Sequence, residues 1–237
     1  VYVQGKNFTM KDCAIVDNTW VTADDVTAED GFTYDDSFNG SLYFFGNVGN
    51  ATIENVTLNK SYISTTSMTG GKVTLNNVTI DAAGVTMLNN AGFAVISGDV
   101  DNNVAVNGLT IRVNNEIDNI YQSVIKAAPA GSVVVLEAGE YKLPETIYLS
   151  KAITLRGEGD VTLTVDAEKW TAENLPVAAP GEKGHASIIT VAALNNEYTK
   201  VENVVIENLT ISGAKTIRDI QATGGAYTDH GHGININ

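Results

Sequence analysis

The chain has 237 residues, 43% of them hydrophobic, enough to bury a sizeable core, and 14 basic against 28 acidic residues leave a net charge of −14. That balance argues against nucleic acid and against anionic membrane surfaces as partners. There is no apolar run of the length a membrane-spanning helix needs, and a lone cysteine, Cys13, excludes an internal disulfide.

In chain order, a strand-like Val1-Tyr2-Val3 is followed by Met10-Lys11-Asp12-Cys13-Ala14-Ile15, the loosest copy of a recurring phrase. The phrase reads apolar, polar, Asn, Val or Leu, Thr, Ile or Leu. It returns as Ile53-Glu54-Asn55-Val56-Thr57-Leu58, Leu75-Asn76-Asn77-Val78-Thr79-Ile80, Val106-Asn107-Gly108-Leu109-Thr110-Ile111 and Ile206-Glu207-Asn208-Leu209-Thr210-Ile211. From Ile53 to Leu75 is 22 residues, and from Met10 to Ile53 is 43, close to two such steps. Strand period two places Ile53 on one face and Glu54 on the other, then Val56 and Leu58 together with Thr57 outward. The parity breaks at Asn55, which predicts a one-residue corner in the left-handed region, tolerated by Asn and open to Gly108. Cys13 falls in an inward slot of the phrase and is expected to be a small buried hydrophobe. A unit of strand, corner, strand that repeats is a solenoid, because each turn buries its apolar face only against the next. A β-sandwich also uses short strands but has no reason to repeat one corner residue.

Residues 21–49 interrupt the first copies with an acidic stretch and the aromatic run Tyr43-Phe44-Phe45, and residues 81–103 form a second interruption. Helical spacing of Ile117, Ile120, Tyr121, Val124, Ile125 and Ala128 then predicts an amphipathic helix over about 116–128, with Asn115 as its N-cap and Pro129 and Gly131 as its stop. The apolar Val133-Val134-Val135-Leu136 follows, then alternating strands at Ile147/Leu149, Ile153/Leu155 and Val161/Leu163/Val165. A loop from Ala167 to Ala186 carries Pro176, Pro180, Gly181 and Gly184.

The phrase and the helix-then-strand segment from Ile117 to Val165 resemble the right-handed parallel β-helix proteins of the pectin-lyase-like superfamily. The resemblance implies an all-β solenoid with a capping helix that shields an open strand edge. It divides the chain into coils over 1–115 and a capping helix with further coils over 116–237. The strand-like Gly233-Ile234-Asn235-Ile236-Asn237 and Val1-Tyr2-Val3 suggest a piece of a longer protein. They also suggest that the last strand can continue into a neighbour's first, stacking subunits head to tail.

The phrase is scaffold, so chemistry is sought where it is interrupted. Gly231-His232-Gly233 resembles the Gly-His-Gly segment of polygalacturonase-type hydrolases, which implies a catalytic set drawn from Asp229, His230, His232 and Arg218. Such hydrolysis needs paired carboxylates, and the preceding coil, Glu207-Asn208-Leu209-Thr210-Ile211-Ser212, carries neither an Asn-Thr-Asp nor an Asp-Asp. Lyases of the superfamily need a Lys or Arg base, often with calcium. Arg156, Lys215 and Arg218 are available without an arginine-rich signature around them. Asp99, Asp101 and Asn103 alternate as oxygen ligands of a calcium loop do, and no other cofactor is expected. Trp170, Tyr227, Trp20 and Tyr43 are candidates to stack on sugar rings. Seven Asn-x-Ser/Thr sequons occur, at Asn7, Asn39, Asn50, Asn55, Asn59, Asn77 and Asn208; turn geometry already accounts for the three in the phrase. The expectation is a non-catalytic, extracellular surface module of the adhesin type. Its partners would be a glycan or a neighbouring subunit added by strand stacking; a lyase or hydrolase acting on acidic polysaccharide is the alternative.

Overall fold

The computed structural model describes residues 1–16, 42–59, 63–81, 96–97, 103–115, 120–170, 186–192, 200–223 and 231–236. These are mostly parallel β-structure with long strands, in two compact units: Val1–Arg112 with Ala127–Pro129, and Val113–Lys126 with Ala130–Asn237.

The first unit contains β1 (Tyr2–Val3), β2 (Thr9–Lys11), β3 (Ala14–Ile15), β4 (Leu42–Glu54), β5 (Thr57–Asn59), β6 (Ile63–Asp81), β7 (Ile96–Ser97) and β8 (Val104–Val113). The copies of the phrase stack in register along it. Met10 pairs with Ile53, Ile53 with Leu75 and Leu75 with Val106. On the far side of the corner, Ile15 pairs with Leu58, Leu58 with Ile80 and Ile80 with Ile111. One column of apolar side chains therefore runs down each side of the corner. Ile53, Leu75, Leu58, Ile80, Leu109 and Ile111 are all fully buried, and each such side chain contributes roughly 1.5–3 kcal/mol by leaving water.

The corner residues carry the backbone conformation that the parity break predicts. Asp12, Asn55, Asn77 and Asn208 have φ between 51° and 55°, and Gly108 has φ 97°. Their side chains form a ladder outside the bend: Asn77 Nδ2 donates to Asn55 Oδ1 and Asn55 Nδ2 to Asp12 Oδ1, each at 2.9 Å. The phrase thus selects Asn twice over, for a left-handed φ and for an amide that can both donate and accept along the stack.

Cys13 departs from expectation. It occupies the slot of Val56, which is 1% exposed, yet Cys13 is exposed and its thiol donates to the Lys11 carbonyl oxygen. The reason is position: β2 and β3 pair only with β4 and β5 among the described residues, so the slot has cover from one side.

The second unit contains α1 (Ile120–Ala127), β9 (Ser132–Leu143), β10 (Ile147–Leu149), β11 (Ile153–Val165), β12 (Ala186–Val191), β13 (Val205–Glu207), β14 (Thr210–Ile211), α2 (Ala214–Thr223) and β15 (Gly231–Ile236). β11 pairs in parallel with β9 on one side and with β13 and β14 on the other; a second sheet runs β10–β12–β15. The last copy of the phrase lies in register here too, with Ile206 beside Leu155 and Ile211 beside Leu163. In α1, Tyr121, Val124 and Ile125 are buried, as the helical spacing predicts, and the Tyr121 ring meets Tyr141 edge-on at 5.8 Å. Burial pushes the Tyr141 hydroxyl up to about 12, and that hydroxyl lies 2.8 Å from the Glu137 carbonyl oxygen, which accepts from it. Asn115 lays its amide over Gly139 and donates to the Glu140 carbonyl oxygen; residues 116–119, at the helix start it is expected to cap, lie outside the described residues. No helix among the described residues is long and apolar enough to cross a membrane.

Candidate functional site

Of the aromatic residues expected to stack on sugars, Trp20 and Tyr227 lie outside the described residues, and the other two are not exposed. Trp170 is 2% exposed. Asp166 explains why: its carbonyl oxygen accepts from the amides of Lys169 and Trp170 and its carboxylate accepts from the amide of Glu168, so the chain turns back after β11. That turn carries the indole inward, where Nε1 donates to the Leu143 carbonyl oxygen at 2.7 Å. An indole so placed is a packing element, satisfied at its polar tip, and has no open face for a ligand.

Tyr43 is 3% exposed, but it is the covered member of an aromatic cluster that does reach solvent. Parallel pairing sets Tyr2 beside Tyr43 and Val3 beside Phe44. The Tyr2 and Tyr43 rings lie 5.5 Å apart with planes 19° from parallel, Tyr2 and Phe45 lie 6.0 Å apart at 27°, and Tyr43 and Phe45 lie 6.5 Å apart at 29°. Tyr2 is 54% and Phe45 36% exposed. The Tyr43 hydroxyl donates to Ser67 Oγ, which anchors the covered ring on the next strand. Tyr2 and Phe45 were not singled out from the sequence. The available signal was period two, which sets Phe45 on the face of Tyr43, together with the alternation in Val1-Tyr2-Val3.

For the catalytic alternative, Asp229 and His230 lie outside the described residues. Arg218 is exposed on α2, and His232 is half-buried on β15. His232 stands beside Ser187 of β12 in register. A serine next to a histidine invites a nucleophile–base reading. Ser187, however, is 1% exposed and shares a hydroxyl hydrogen bond with Thr190, while its carbonyl oxygen accepts from Thr146 Oγ1 at 2.7 Å. This buried hydroxyl cluster is packed structure, and its serine is closed to substrate.

For the calcium candidate, Asp99 and Asp101 lie outside the described residues and Asn103 sits half-buried just before β8. Among the described residues, no three of His, Cys, Asp and Glu come together as a metal site would require. Exposed charges instead pair across registered strands. Lys11 meets Glu54 at 2.9 Å, which holds the lysine above its ordinary range through that hydrogen bond, and Arg156 meets Glu207 at 2.6 Å. Such pairs tie neighbouring strands at the surface and add little stability.

The arrangement therefore offers one exposed aromatic surface, at Tyr2 and Phe45, and no assembled catalytic set among the described residues. The chain matches no protein-family model, no curated protein and no solved structure.

Proposed function

We propose that the chain forms coils of a right-handed parallel β-helix of the pectin-lyase-like kind and serves as an extracellular, adhesin-like surface module that binds without catalysing. The observation that carries this reading is the in-register stacking of the phrase with left-handed corners, because it spends the repeated residues on scaffold. A coil whose strands continue through each corner leaves its outward faces and flank loops as the places where partners act. Partners on this reading are a glycan or a neighbouring subunit. The exposed Ile234 and Ile236 on β15, which pairs only with β12 among the described residues, are where a neighbour's strand would add.

The test is a glycan array run beside an assay for unsaturated uronides and new reducing ends on acidic polysaccharides. Binding without product is the expected result. Product formation from any acidic polysaccharide overturns the non-catalytic reading and assigns the chain to the lyases or hydrolases.

A further inference from the structure

We propose that Asn50 is the acceptor for an N-linked glycan, the donor being an oligosaccharide carried on a lipid diphosphate. This rests on the extracellular reading above, because Asn-x-Ser/Thr acceptors belong to the surfaces of secreted proteins, and it adds a modification site to that reading.

Every sequon asparagine except Asn39 lies among the described residues, and all of these but Asn50 are committed elsewhere. Asn55 Nδ2 donates to Asp12 and Asn77 Nδ2 to Asn55, each at 2.9 Å, so these amides run along the stack. A sugar on either would have to stand between coils spaced about 4.8 Å apart. Asn59 Nδ2 donates to Asp81 Oδ2 at 3.1 Å, and Asn208 is half-buried. Asn7 lays its side chain over the neighbouring bend. Its Oδ1 accepts from the Asn50 backbone amide at 3.1 Å and lies 2.7 Å from where a Cβ on Gly49 would stand.

The Asn50 side chain is exposed and makes no hydrogen bond with any described residue. Strand period two sends Ala51 inward, where it is fully buried, and leaves Asn50 and Thr52 on one outward face. The acceptor amide and the hydroxyl two residues on, which together define a sequon, are thus presented from the same side. Gly49, at φ 61°, turns the chain just before them. Described strands lie on both sides: Thr52 pairs with Thr9 of β2 and with Thr74 of β6, and Asn50 with Lys72. The exposure of Asn50 therefore comes from its outward face and not from an uncovered strand edge. In the transfer, Asn50 Nδ2 forms a bond to the anomeric carbon as the bond from that carbon to the diphosphate oxygen breaks. The amide gives up one proton and the lipid diphosphate leaves. No hydrogen bond to a described residue is lost from the side chain on the way.

The test uses the folded full chain carrying Asn39→Gln, because Asn39 lies outside the described residues. It is incubated with a purified oligosaccharyltransferase and a lipid-linked oligosaccharide, and the glycopeptides are mapped by mass spectrometry. One glycan is expected, on the peptide that holds Asn50. Asn50→Gln should abolish it and Asn77→Gln should leave it unchanged, with the far-ultraviolet circular dichroism of each variant matching the parent before transfer. Transfer to any other described sequon, in place of Asn50 or as readily, overturns the assignment. So does a folded chain that takes no glycan under conditions that modify an Asn-Ala-Thr peptide. The mapping is read with Asn50 in place, so it answers even if Asn50→Gln disturbs the fold. Failure here leaves the surface-module reading to the glycan array, which decides it separately.

Discussion

Replacing Gly71 with alanine should destabilise the first unit by about 3 kcal/mol or more, among the largest losses a single methyl can cause. Gly71 has φ +93°, and a Cβ placed there would stand 2.4 Å from the carbonyl oxygen and 2.5 Å from the amide nitrogen of Gly49. Both contacts are to backbone on the neighbouring strand, so no side chain can move aside. The pairing of Asn50 with Lys72 and of Ala51 with Val73 would have to open to admit the methyl. Gly46→Ala is the matched control in the same unit, with φ +72° and nothing within 4 Å of its ideal Cβ. It isolates the backbone cost of a left-handed alanine, about 1–2 kcal/mol. Urea denaturation of the two variants should therefore separate them by about 2 kcal/mol. Equal losses would mean that β4 and β6 do not approach so closely at this bend.

Trp170→Ala should cost the second unit about 3–5 kcal/mol, the range for emptying the site of a buried aromatic ring. The loss combines cavity formation with an unmet hydrogen bond at the Leu143 carbonyl oxygen. Trp170→Phe should keep most of the packing and lose the indole donor, at about 1–3 kcal/mol. Thermal unfolding reads both variants. A near-neutral Trp170→Ala that abolished glycan binding would return the indole to the surface role expected from its sequence context.

That contrast marks what the sequence could and could not convey. The corner phrase was legible because it encodes a local conformation. Asn at a parity break has few explanations besides a left-handed bend, and Asn55, Asn77 and Asn208 all adopt it. One copy went unread: Val201-Glu202-Asn203-Val204-Val205-Ile206 has the same pattern with Val in place of Thr, and Asn203 has φ 58°. The bend at Gly49 and Gly71 was harder, since glycines permit a corner without any repeated side chain to announce it. Burial that depends on long-range placement was not legible. Cys13 matches Val56 in pattern, but only the strand order shows that its strands lie outermost among the described residues. Trp170 begins a Pro- and Gly-rich loop, and the turn at Asp166 that folds the indole inward is a local hydrogen-bonding event with no periodic signature. The aromatic cluster lay between these cases. Its members come from strands far apart in sequence, brought together by the pairing of β1 with β4.

The repeated phrase stacks on itself as parallel strands in one register. Through-space nuclear magnetic resonance contacts among Thr57, Thr79 and Thr110 test it most directly, since these residues are successive register partners on β5, β6 and β8. Amide-to-Hα contacts of parallel strands are expected from Thr57 to Thr79 and from Thr79 to Thr110. Methyl contacts should likewise join Leu58 to Ile80 and Ile80 to Ile111. A pairing slipped by one residue would exchange the inward and outward faces, and that result, or antiparallel contacts between any two copies, would contradict it.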